Sequence, residues 1–158
     1  METLNIYILL HEMMMEIEYY VNIRTGKNYE EYCCKKLMES EKRFLIKVPQ
    51  IDSKEYQKIK EKFYIDNVNN NIKKNFKSYL EKYPNYHGAF HNFIIDYKLE
   101  EKWFEFEEKK LLEIAMEFCE KNKIRYLVDK ENINIKDIIK TDIYNKEALE
   151  YYRKKYNF

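Results

Sequence analysis

The sequence predicts an α+β fold, a small N-terminal antiparallel sheet followed by a helical half, and three observations carry that expectation. From Glu16 to Arg24 apolar and polar residues alternate, the period of a half-buried strand. From Asp52 onward apolar residues recur at the three- and four-residue spacing of a helix face. Strand patterns come first and helix patterns after, whereas a wound parallel sheet would interleave them. The chain has 158 residues and is 45% apolar, enough to fill the core of a single domain over residues 1–158.

Residues 2–14 predict a short helix with Leu4, Tyr7, Ile8 and either Leu10 or His11 along one face. Next, Ile17, Tyr19, Val21 and Ile23 alternate with Glu18, Tyr20, Asn22 and Arg24 in a strand. Thr25-Gly26-Lys27 supplies the turn, since glycine accepts the positive φ that a hairpin needs. A return strand is expected over Asn28–Cys34, and a third over Arg43–Val48, ended by Pro49, which cannot donate to a ladder. Asp52 or Ser53 then caps a helix with Tyr56, Ile59 and Phe63 on its apolar face. The Asn-rich stretch Asn67–Asn71 breaks that helix. A second runs through Ile72, Phe76, Tyr79, Leu80 and Tyr83 to Pro84. A third carries Phe90, Phe93, Ile94 and Tyr97, and a fourth, straight or kinked, carries Trp103, Phe106, Leu111, Ile114, Ala115 and Phe118. Phe90, Phe93, Trp103, Phe106 and Phe118 are expected to pack together. Ile124–Val128 has strand character and is a candidate to join the N-terminal sheet, and residues 145–156 read as a last amphipathic helix capped by Asn145.

Composition excludes several classes. No apolar stretch reaches the ~20 residues of a membrane span. The run Leu4–Leu10 has no basic segment before it and no small-residue cleavage site after it, so it reads as core and not as a signal peptide. Cys33, Cys34 and Cys119 are odd in number and contain no Cys-x-x-Cys pair, which fits reduced thiols in a cytoplasm. Tyrosine is abundant at 16 and glycine scarce at 2, a pattern that AT-rich codons produce without any functional demand. Two glycines also rule out a Gly-rich phosphate loop.

Three motifs in order carry a family likeness. They are Tyr20-Val21-Asn22-Ile23-Arg24-Thr25-Gly26, then Gly88-Ala89-Phe90-His91-Asn92-Phe93, and then Trp103-Phe104-Glu105-Phe106 with Ala115-Met116-Glu117-Phe118 and Ile124. Ile51-Asp52-Ser53-Lys54-Glu55 adds a polar segment after a proline. The series resembles the uncharacterised bacterial protein family number 0158 of the UPF series over roughly residues 16–126. The resemblance implies a bacterial protein without assigned activity. That family has two basic residues after Gly-Ala-Phe where this chain has His91 and Asn92, which weakens an anion site there. Residues 130–158 have no counterpart in the family and read as an extension ending in the amphipathic helix.

Candidate chemistry is sparse. His87 and His91 stand four apart, the spacing that sets two imidazoles on one helical face, and are the weak metal candidates. Gly88 between them, near a helix start, and the lack of a neighbouring glutamate favour a polar helix terminus instead. Cys119 falls beside an apolar face, and Cys33 and Cys34 have no evident activating base. The glutamates Glu100 to Glu120 interleave with lysines at helix-surface spacing, as on a solvated face. No catalytic set and no cofactor site is expected.

Charge distribution says more than its sum of +1. Residues 47–82 hold nine lysines against five acids, whereas 96–120 hold nine acids against four lysines. Lys54, Lys58 and Lys62 form one i, i+4 stripe, and Lys73 and Lys77 another. They could follow a phosphate backbone, meet an acidic partner, or be an ordinary surface. Tyr151, Tyr152 and Tyr156 of the tail are candidate partner contacts. The expectation is a small intracellular, cytoplasmic protein-interaction module, a regulator or inhibitor with an unknown protein partner, without catalysis, cofactor or membrane. The alternative is a nucleic-acid-binding domain using residues 54–77, and an enzyme comes last.

Overall fold

The computed structural model describes residues 2–131 and 146–156. In chain order its elements are β1 (Leu4–Asn5), α1 (Ile6–Met13), β2 (Tyr19–Asn22), β3 (Asn28–Glu30), α2 (Glu31–Cys34), α3 (Glu39–Lys42) and β4 (Leu45–Lys47). There follow α4 (Ser53–Asn67), α5 (Asn70–Lys73), α6 (Phe76–Lys82), α7 (Tyr86–Asp96), α8 (Glu100–Lys121), β5 (Tyr126–Leu127) and α9 (Lys146–Tyr156). The fold is α+β. Two compact units share it: Met1–Gln50 with Leu112–Phe158, and Ile51–Leu111. The division falls inside α8, where no Pro, Gly or polar linker marks it in the sequence. The expected cap Asn145, and Tyr144 and Phe158 of the tail, lie outside the described residues.

In the first unit β2 is the central strand of an antiparallel sheet ordered β3-β2-β4, with Tyr20 opposite Tyr29 and Val21 opposite Ile46. The alternation explains this placement, because Tyr19 and Val21 are buried while Tyr20 is only half-buried. Gly26 turns the hairpin at φ +78°, and a Cβ there would run into the Glu2 carbonyl oxygen. Asn22 is buried but satisfied, its Oδ1 accepting from the backbone N–H groups of Arg24 at 2.9 Å and Thr25 at 3.1 Å.

Three expectations are corrected in this unit. The return strand stops at Glu30, and Glu31–Cys34 form one helical turn, because side chains of α9 take hold of Glu31. Ile124–Val128 does supply a strand, but β5 pairs parallel with β1, Leu4 opposite Tyr126, and not with the antiparallel sheet. The helix expected from residue 2 starts only at Ile6, after the Asn5 side chain accepts from Tyr7 N–H at 3.1 Å. That leaves Leu4–Asn5 extended and able to pair.

In the second unit Asp52 caps α4, its side chain accepting from Glu55 N–H at 2.8 Å, and Asn85 caps α7 by accepting from Gly88 N–H at 2.7 Å. The helix expected over Ile72–Tyr83 is two pieces, α5 and α6, since Asn69 starts a separate single turn. Phe63, Phe76, Phe90, Phe93 and Trp103 form the core. Edge-to-face contacts join them: Phe63 to Trp103 at 5.4 Å, Phe90 to Trp103 at 5.0 Å and Phe76 to Phe93 at 5.1 Å between centroids. Phe106 packs half-buried against this cluster. Phe118 does not join it; α8 is one 22-residue helix, long enough to carry Phe118 into the other unit.

Candidate functional site

The lysine stripes are largely engaged locally. Lys58 pairs with Glu55 at 3.1 Å and Lys62 with Asp66 at 3.0 Å, both within α4. Lys73 donates to the Ile65 carbonyl at 2.7 Å, tying α5 to the end of α4. Lys54 and Lys77 are exposed. The i, i+4 spacing is present, but acids at i−3 and i+4 offset two of its charges and a backbone carbonyl accepts from a third.

The tail tyrosines turn inward. Tyr152 is fully buried, and its hydroxyl oxygen accepts from Tyr32 N–H at 3.1 Å, so it is a packing residue and not a contact residue. Tyr151 and Tyr156 are half-buried and donate to Glu31 at 2.9 and 2.8 Å, and Lys155 also donates to that carboxylate. The aromatic spacing of the helix was legible in the sequence. Its partner was not, because Glu31 lies more than a hundred residues away.

The histidines part company. His91 is exposed, whereas His87 is half-buried and its Nδ1 lies 2.6 Å from Lys60 Nζ. Among the described residues no group of three His, Cys, Asp or Glu side chains is gathered to hold a metal. Lys60 is only 7% exposed. Its Nζ stands over the Tyr56 ring at 4.6 Å and the Phe90 ring at 5.3 Å. Tyr56 also stacks on His87, with centroids 6.2 Å apart, and lies near Glu107. Burial lowers the Lys60 pKa, with the nearby Glu107 charge opposing. Burial and then Lys60 lower that of His87, while burial raises that of Glu107. Each shift disfavours the charged form, as removal from water does. Sequence reasoning passed over this lysine among nine. The available signal was its position: Lys60 falls four residues after Tyr56 and three before Phe63, on the stripe that α4 buries.

Cys34 and Cys119 are not ready nucleophiles. Burial, aided by the neighbouring Glu31, pushes Cys34 up to about 11, and burial pushes Cys119 to about 11 as well, so both stay protonated near neutral pH.

The outward face of α8 differs from the rest of the second unit. Phe104 is 62% exposed. Glu100 and Glu101 stand four and three residues before it and Glu108 four after, which puts carboxylates on both sides of the ring along the helix. Glu101 and Glu105 are exposed. The other large exposed apolar residues of this unit, Ile65, Leu80 and Ile95, stand singly on α4, α6 and α7. No protein-family model, curated protein sequence or solved structure matches the chain.

Proposed function

We propose that the chain is a non-catalytic protein-interaction module that docks a basic partner segment, one carrying an apolar anchor, on the Phe104 face of α8. The observation that supports this is an exposed aromatic ring flanked along its helix by Glu100, Glu101 and Glu108. An aromatic side chain supplies large contact area at small entropic cost, and surrounding carboxylates steer lysine- or arginine-bearing segments to it. The nucleic-acid alternative draws on the same charge map with the opposite sign, and the pairing of Lys58 and Lys62 with Glu55 and Asp66 weighs against it. The motifs at Gly88–Phe93 and Trp103–Phe106 are the ground for proposing, in addition, membership of the uncharacterised family named above.

Fluorescence anisotropy with three labelled probes tests the docking. The probes are a peptide alternating lysine and leucine, the same peptide with glutamate for lysine, and a short oligonucleotide. The basic peptide should bind, weaken as salt rises, and lose its affinity in Phe104→Ala and in Glu101→Lys/Glu105→Lys. Binding of the oligonucleotide alone, or equal binding of both peptides, would overturn it.

A further inference from the structure

We propose that the open edge of β4 pairs with the same edge of a second copy of this chain, joining two three-stranded sheets into one across a two-fold axis. The contact involves residues 1–50 alone and is independent of the docking face on α8.

In the order β3-β2-β4 the last strand has a neighbour on one side only. Its ladder to β2 runs through alternate residues, as an antiparallel pair requires. Ile23 N–H donates to the Phe44 carbonyl at 3.0 Å, Val48 N–H donates to that of Tyr19 at 2.8 Å, and Ile46 faces Val21 between them. The N–H and C=O groups of Leu45 and Lys47 therefore point away from β2, and no described residue bonds to them. Such a row is matched by extended backbone, so its occupant is a strand.

The register makes this edge complementary to itself. Turned about a two-fold axis through Ile46, each strand sets its Leu45 opposite Lys47 of the other. Both pairs exchange N–H and C=O bonds reciprocally, which satisfies every outward group on the two strands. Ile46 then meets its own counterpart at the position without hydrogen bonds, where side chains approach most closely. Val21 beside it is fully buried but Ile46 is only half-buried, so apolar surface is left for the counterpart to cover. Lysine on an edge strand usually wards off such pairing. Here Lys47 pairs with Glu18 at 2.8 Å, and Glu18 adjoins β2, so the ammonium is drawn back over its own sheet and its charge is offset. Pro49 has no N–H to donate and ends the ladder just past Val48. Because both copies use the same patch, assembly closes at two.

Sedimentation equilibrium of the intact chain from about 1 to 500 µM tests this, together with amide hydrogen exchange by NMR at both ends of that range. The mean mass should rise toward twice that of one chain. The Leu45 and Lys47 amides should exchange about tenfold more slowly, or slower still, at the high concentration. The Ile46 amide, which the register bonds to β2, should be protected throughout. Leu45→Pro deletes an outward donor and spares the bonds to β2, so it should raise the concentration of half-association about tenfold or more. Phe104→Ala should associate as the wild type does. A wild-type chain still monomeric at the highest concentration would overturn the proposal. So would a dimer whose Leu45 and Lys47 amides exchange as fast as in the monomer, and neither observation requires a variant to fold. A monomer that protects these amides only when a foreign extended peptide is added would overturn it too, the edge then belonging to another partner.

Discussion

Glu12 lies three residues after Leu9 on the buried face of α1 and is 6% exposed. Asn28 donates to one of its oxygens, while the other, Oε2, is buried with no hydrogen-bond partner. Burial raises the carboxyl from 4.5 to about 8, with the Asn28 hydrogen bond opposing. A folded-state pKa above the unfolded one means that the folded chain keeps a proton the unfolded chain has released. The folded state is therefore penalised progressively from pH 4.5 to about 8. Glu12→Gln keeps an acceptor for Asn28 and removes the titration. It should stabilise the protein by up to about 3 kcal/mol at pH 7 and by almost nothing at pH 4. Urea denaturation of both proteins across that range measures the difference, and a pH-independent gap would refute the assignment. Tyr152 poses the opposite problem, a buried hydroxyl that is used. Tyr152→Phe strips the acceptor from Tyr32 N–H and should cost about 1–3 kcal/mol while the fold persists. An unchanged denaturation midpoint would show that water replaces the hydroxyl.

The helices of the Ile51–Leu111 unit are held by aromatic packing that their spacing foretells. Tyr56, Phe63, Phe90, Phe93 and Trp103 fall on the predicted stripes, and Trp103 touches Phe63, Phe90 and Tyr56. Trp103→Ala should cost about 3–5 kcal/mol by thermal or urea unfolding, with Trp103→Phe distinctly milder. Helix ends show how the chain manages with two glycines. Past the C-terminus of α7, Lys98 adopts φ +54°, and Leu99 N–H donates to the Ile94 carbonyl at 2.8 Å. Past α8, Lys123 does the same at φ +56°, with Ile124 N–H donating to Cys119. These are positions where glycine is the usual residue. A left-handed lysine costs about 1–2 kcal/mol, of which glycine's extra chain entropy cancels part. Lys98→Gly should therefore stabilise by about 0.5–1 kcal/mol, and a lower unfolding midpoint would contradict it. The lysines at these sites are visible in the sequence, but their backbone conformation is not, because nothing in the residue type announces it.

Across the whole molecule, charge is segregated along the chain, and the two signs invite different partners. With Lys58, Lys62 and Lys73 engaged locally, a labelled oligonucleotide should show no salt-sensitive binding. Changing Lys54, Lys58, Lys62, Lys73 and Lys77 to glutamate should leave its signal unaltered. Tight binding that falls steeply with salt and vanishes in that variant would restore the nucleic-acid reading. What the sequence determined by itself is local. Alternation made β2, Gly26 made its hairpin, Asp52 capped α4, and helical spacing placed the aromatic stripe, because each depends on contacts within about four residues. Tertiary structure decided what those elements meet. It ended β3 at Glu30 through the hold of α9 on Glu31, paired β5 with β1, buried Tyr152 and brought Lys60 to His87 across 27 residues of chain. Periodicity says which face of an element is apolar. Which distant surface covers that face depends on packing and on satisfying each buried polar group, and no local pattern encodes that choice.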